Sequence, residues 1–118
     1  MRSLAYLVLV VLLLMTCGRK ECQDFDEQFS NLFEANLGLI IKSGYRTEGS
    51  LDSLTNAFLF MEAITGIKPR ISDYDTPHYK NMSYFYEDIR DWKEWFDKNK
   101  CEMTYSKADS ILKVKNFY

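Results

Sequence analysis

Histidine is almost missing from this 118-residue chain, which holds one, and cysteine is scarce, at three. That leaves too few ligands for a standard tetrahedral zinc site. Proline, at two, and glycine, at five, are also few, so collagen-like and low-complexity compositions are excluded. Neither sign of charge dominates: 15 Lys and Arg face 17 Asp and Glu, for a net −2. A basic nucleic-acid footprint is therefore excluded, and no nucleic-acid partner is expected. The phosphate-cradling G-x-x-x-x-G-K, the dinucleotide G-x-G-x-x-G and the metalloprotease H-E-x-x-H are all missing. No cofactor is expected. What the chain does have is apolar surface, at 47% of residues, with 15% aromatic. At this length that is enough for one core and one domain.

The longest apolar run is the twelve residues LAYLVLVVLLLM, Leu4 to Met15, preceded by Arg2 and followed by Thr16-Cys17-Gly18. As a helix it would span about 18 Å, against a hydrocarbon core of about 30 Å. One positive charge, a short charge-free apolar run and then small residues is the layout of a secretory signal peptide. Leu14-Met15-Thr16-Cys17 resembles the lipobox of bacterial lipoproteins, in which cleavage precedes a Cys that carries a diacylglyceryl group. The resemblance implies a signal peptide over 1–16, lipidation (palmitate included) at Cys17 and a tether over 17–23. Met15 and Thr16 depart from the commonest residues of that motif. A second cut, after Gly18, would release a soluble secreted protein; the lipobox reading is preferred. With either cut, Cys22 and Cys101 remain, an even pair suited to an oxidising compartment. Their spacing does not decide whether they are bonded or free.

Beyond the tether, 24–118 reads as a single helical domain. Asp24 with Glu27 has capping-box spacing, and Phe25, Phe29, Leu32, Phe33, Leu37, Ile40 and Ile41 follow at helical intervals. Leu37 to Ile41 would also suit a short strand, and Gly44 suits a left-handed helix stop. Ser50 can cap a second helix carrying Leu51, Leu54, Ala57, Phe58, Met61 and Ile64, with Gly66 and Pro69 at its exit. Residues 67–82 have no clean period and hold both prolines and the only His; long connections of this kind often carry contact surfaces. Ser83 can cap a third helix with Phe85, Ile89, Trp92 and Phe96 inward, Trp95 alongside, and Asp88 and Asp91 on solvated faces. Ser106 and Asp109 offer a capping pair for a short fourth helix carrying Ile111, Leu112 and Val114. The expected fold class is all-α, a small bundle of about four helices after a cleaved signal peptide.

Chemistry is sparse. His78 has Asp75, Thr76 and Tyr79 nearby in sequence but no nucleophile motif, so a surface histidine is the simpler reading. Asp73-x-Asp75 opens like a calcium loop. Pro77, His78 and Tyr84 at its fifth, sixth and twelfth positions exclude an EF-hand, and no metal site is expected. Asp52-Ser53-Leu54 and Asp109-Ser110-Ile111 match a bacterial O-glycosylation pattern by chance placement in helices, and Asn81-Met82-Ser83 is a sequon only for a eukaryotic host. Aromatic residues crowd the region from 74 to 96, and Tyr74, Tyr79, Tyr84 and Trp95 form a candidate binding patch for a protein or a sugar ring.

Asp91 to Cys101, DWKEWFDKNKC, resembles a Trp-x-x-Trp-aromatic helix end of small uncharacterised bacterial lipoproteins and of some helical-repeat proteins. That resemblance implies helical packing and no activity. The expectation is a non-catalytic, lipid-anchored interaction module of the bacterial cell envelope, on the outer membrane or the periplasmic face. It would meet an envelope or toxin protein, with an inhibitor or immunity-type role among the options. The alternative is a glycan-binding module built on the Tyr and Trp platforms.

Overall fold

Apolar residues at three- and four-residue spacing roll the chain into helices whose inner faces meet. The computed structural model describes residues 22, 25–45 and 51–117. Among these it contains four helices and no strand: α1 Glu27–Tyr45, α2 Leu51–Thr65, α3 Met82–Asn99 and α4 Tyr105–Val114. The chain is a small all-α bundle. The proposed signal peptide, Cys17 and most of the tether lie outside the described residues, as does Ser50. No described helix is long and apolar enough to cross a membrane.

Helix α1 is continuous through Leu37–Ile41, so a strand there is overruled. Its face of Phe29, Phe33, Leu37 and Ile40 is buried against Ala57, Phe58, Phe60, Met61 and Ile64 of α2, and these two helices share the most extensive interface. Phe85 and Trp92 of α3 and Ala108 and Leu112 of α4 complete the core. Rings run through it: Phe33 lies 4.8 Å from Phe96 and 5.7 Å from Trp95, and Phe58 lies 6.3 Å from Trp92. Offset and tilted contacts at these spacings each add about 0.5–1.5 kcal/mol to simple burial. Phe25, Leu51 and Val114, which the periodicity would place inside, are exposed instead. They stand before, at the start and at the end of their helices, where the core no longer reaches.

The second helix starts at Leu51 as expected, whereas the starts of α1, α3 and α4 differ from the sequence expectation by two residues each. Asp26, not Asp24, caps α1, accepting from the Phe29 amide at 3.0 Å. Asn81, not Ser83, caps α3: its backbone is extended and its Oδ1 accepts from the Tyr84 amide at 3.0 Å. Ser83 lies inside the first turn and donates to the same oxygen. Thr104, not Ser106, caps α4 by accepting from the Lys107 amide. Gly66 ends α2 in the left-handed conformation, φ 71°, as a helix-terminating glycine should. Gly44 does something else. It stays helical, and a Cβ there would fall 2.4 Å from the Phe85 ring, so α3 approaches α1 because this residue has no side chain.

Cys22 is bonded to Cys101, with Cα atoms 5.0 Å apart and a sequence separation of 79. The bond ties the start of the domain to the turn between α3 and α4. Asp26 reinforces the same end. Its second oxygen accepts from the Tyr105 amide at 3.0 Å, so one carboxylate satisfies the open N-termini of both α1 and α4.

Candidate functional site

The segment between α2 and α3 has no period because it is held by side chains and not by a repeating backbone pattern. Asp88, one helical turn beyond Phe85 on α3, is fully buried. Its carboxylate accepts from the Arg70 amide at 2.9 Å, from the Arg70 guanidinium at 2.5 Å and from the Tyr79 hydroxyl at 2.7 Å. A buried carboxylate is tolerated only with such donors around it. The expected solvated face for Asp88 is thus corrected. Asp91 keeps a partly exposed position and pairs with Arg70 at 3.1 Å and with Arg90 at 3.1 Å. Glu87 reaches the Arg70 Nε at 3.3 Å. One guanidinium therefore meets three carboxylates along one side of α3.

The four aromatic residues singled out from the sequence do different jobs. Tyr79 is half-buried, with its ring 5.8 Å from Phe58 and 5.5 Å from Phe85. Burial, then the bond to Asp88, push its phenol well above the ordinary tyrosine value, so it stays a neutral donor. Tyr74 donates its hydroxyl to Glu62 of α2, while its carbonyl accepts from Thr55 at 2.7 Å. Trp95 is half-buried against Phe33. Tyr84 is exposed, as is Tyr86 beyond it. The hydroxyls of Tyr74 and Tyr79 are thus taken up by carboxylates of the domain, and of the four only Tyr84 is exposed.

His78 is exposed on the same segment. Its Nδ1 lies 2.8 Å from the Ser72 hydroxyl and 3.0 Å from the Thr76 carbonyl. The carbonyl only accepts, whereas the hydroxyl can donate or accept, so Nδ1 serves one contact or the other according to the tautomer. Both contacts lie within residues 72–78 and hold the turn there. Asp73 accepts from the Thr76 amide at 2.7 Å, and that bond holds its carboxyl below the ordinary range. No group of three or more metal-ligating side chains occurs among the described residues.

A shallow groove of about 240 Å³ lies between α1 and α3, floored by Phe33, Leu37 and Phe96 and edged by Glu34, Lys93 and Asp97. It falls below the usual size of a small-molecule site. The Trp92 indole N–H is buried without a hydrogen-bond partner. Comparison of the chain with protein-family models, curated proteins and solved structures finds no match.

Proposed function

We propose that this chain is a lipid-anchored, non-catalytic helical domain of the bacterial cell envelope that acts through contacts with another envelope protein or with a toxin. The observation that carries the reading is the pairing of Cys22 with Cys101. A structural disulfide belongs to an oxidising compartment, the destination of a chain led by a signal peptide. Of three cysteines in the sequence, the pairing leaves Cys17, directly behind the apolar run, for the lipid.

The domain's polar groups support the non-catalytic part. The Asp88, Arg70 and Tyr79 cluster fastens the 66–81 segment to α3, and the Ser72 and His78 pair is turned to a backbone carbonyl. An inhibitor or immunity-type role suits a rigid, chemically plain body of this size.

Intact-mass and N-terminal peptide analysis of the mature protein from its own membranes tests the reading. The expected result is a chain starting at Cys17 and carrying fatty acids, released from the membrane fraction by Cys17→Ser. A chain retaining Met1, or starting at Arg19 with no fatty acid, overturns it. Cross-linking in intact cells tests the partner: a discrete protein adduct is expected, and adducts to glycan alone would favour the sugar-binding alternative.

A further inference from the structure

The disulfide shortens the tether, and what it leaves at the tethered end of the domain is aromatic. Only four residues lie between Cys17 and Cys22, a span of at most about 18 Å fully extended. Cys22 is fixed to Cys101, beyond the C-terminus of α3 and before the start of α4. An anchored Cys17 therefore keeps this end of the bundle close to the bilayer. Phe25 and Tyr105 are exposed there, 44% and 38%. They flank one hydrogen bond, between the carboxylate of Asp26 and the Tyr105 amide, so the fold holds the two residues at the same place. Aromatic side chains at the level of lipid headgroups are a recurring interfacial anchor.

From this we infer that the end of the bundle bearing Phe25 and Tyr105 is a lipid-contacting surface, seated on the bilayer that carries the Cys17 anchor. The inference rests on the anchored reading above. Charge at this end is mixed and not of one sign: Lys98, Lys100 and Lys107 stand with Asp97 and Glu102, Lys100 pairing with Asp97 at 3.7 Å, so the contact proposed is the apolar one made by the two rings. The opposite end of α3, with Met82 and Tyr86, stands eighteen residues of helix away, about 27 Å along the axis, and serves as the comparison.

Site-specific photo-crosslinking in the full chain tests this. p-Benzoylphenylalanine replaces Phe25, Tyr105 or, for comparison, Tyr86, all exposed, and the N-terminal mass is read in the same samples. In a lipidated chain, phospholipid adducts at positions 25 and 105 should exceed those at 86 by at least about fivefold, unchanged in high salt. Equal yields at all three, or a higher yield at 86, overturn the surface and leave the anchor standing. A mature chain without fatty acid overturns the anchor. The same variants are then added to phosphatidylcholine vesicles, where adducts confined to 25 and 105 uphold the surface and their absence removes it.

Discussion

Arg70 holds Asp88 twice, through its backbone amide to Oδ2 at 2.9 Å and through its guanidinium to Oδ1 at 2.5 Å. The carboxylate is fully buried, while the Arg70 side chain stays 37% exposed. The two ends of the pair therefore respond differently to removal. Arg70→Met strands a buried charge and should destabilise by about 3–5 kcal/mol. Asp88→Ala leaves the guanidinium its water and its two other carboxylates, but leaves the Arg70 amide and the Tyr79 hydroxyl unpaired, for about 2–4 kcal/mol. Urea unfolding of both variants, and of Arg70→Met with Asp88→Leu together, checks this. The double variant should be more stable than Arg70→Met alone; a lower stability would show that the pair itself is not the cause.

Two glycines of α1 should respond with opposite signs to the same substitution. Gly38 has nothing within 4 Å of an added Cβ, whereas at Gly44 the Phe85 ring stands 2.4 Å away. Gly38→Ala should stabilise by about 0.5–1 kcal/mol, the helix-propensity gain. Gly44→Ala should destabilise by about 1–3 kcal/mol through overpacking. Thermal melts give both numbers, and Phe85→Leu should shrink the Gly44→Ala penalty if the ring is its source.

These contrasts show what the sequence carries. The four helices are legible from periodicity because Phe29, Phe33, Phe58, Trp92 and Leu112 each recur on one face. The inward position of Asp88 is also written in that period: 85, 88 and 92 share a stripe. Its charge argued for the opposite face, and its partners Arg70 and Tyr79 lie in a segment with no period at all, so nothing local announced the pairing. The caps of α1, α3 and α4 lie two residues from the expected ones because Asp, Asn, Ser and Thr can all cap a helix. Which one is used depends on where tertiary contacts bring the chain in, as with Asp26, whose second oxygen meets Tyr105.

Acid should loosen the end of the domain that Asp26 caps. Accepting first from the Tyr105 amide and then from that of Phe29 holds its carboxyl below the ordinary value of 3.8. A carboxyl depressed in the folded state contributes stability that is present above the unfolded value, about pH 4, and lost as pH falls through the folded one. Unfolding free energy should therefore decline with acid below about pH 4, and Asp26→Asn should flatten that decline. Hydrogen exchange at the Phe29 and Tyr105 amides should accelerate together in Asp26→Ala. If only Phe29 accelerates, the carboxylate does not link the two helices.

Reduction of the bond between Cys22 and Cys101 should be costly without undoing the core. Its closure spans 79 residues, for which loop entropy in the unfolded chain gives about 4 kcal/mol. None of the buried core residues is a cysteine, so the helical circular dichroism of the reduced chain should persist in water while the urea midpoint drops. Cys22→Ser with Cys101→Ser should match the reduced protein. An unchanged midpoint would mean that the contacts made by Asp26 fix this end by themselves.

Tyr79 and Tyr84 should separate what holds the fold from what remains available on its surface. Tyr79→Phe removes a 2.7 Å bond to a buried carboxylate, and hydrogen bonds to charged groups are worth about 1.5–3 kcal/mol. Tyr84 is 39% exposed, and Tyr84→Phe should stay within about 0.5 kcal/mol of the parent. If an aromatic patch on this side binds a partner, Tyr84→Ala should weaken that binding at unchanged stability. Tyr79→Phe, whose hydroxyl faces inward, should lower stability first and affect binding only as the folded fraction falls. Parallel urea titrations and cross-linking yields on the two variants read both quantities. A binding loss in Tyr79→Phe at full folding would place the Tyr79 hydroxyl in the interface after all, and with it the 66–81 segment that Asp88 fastens.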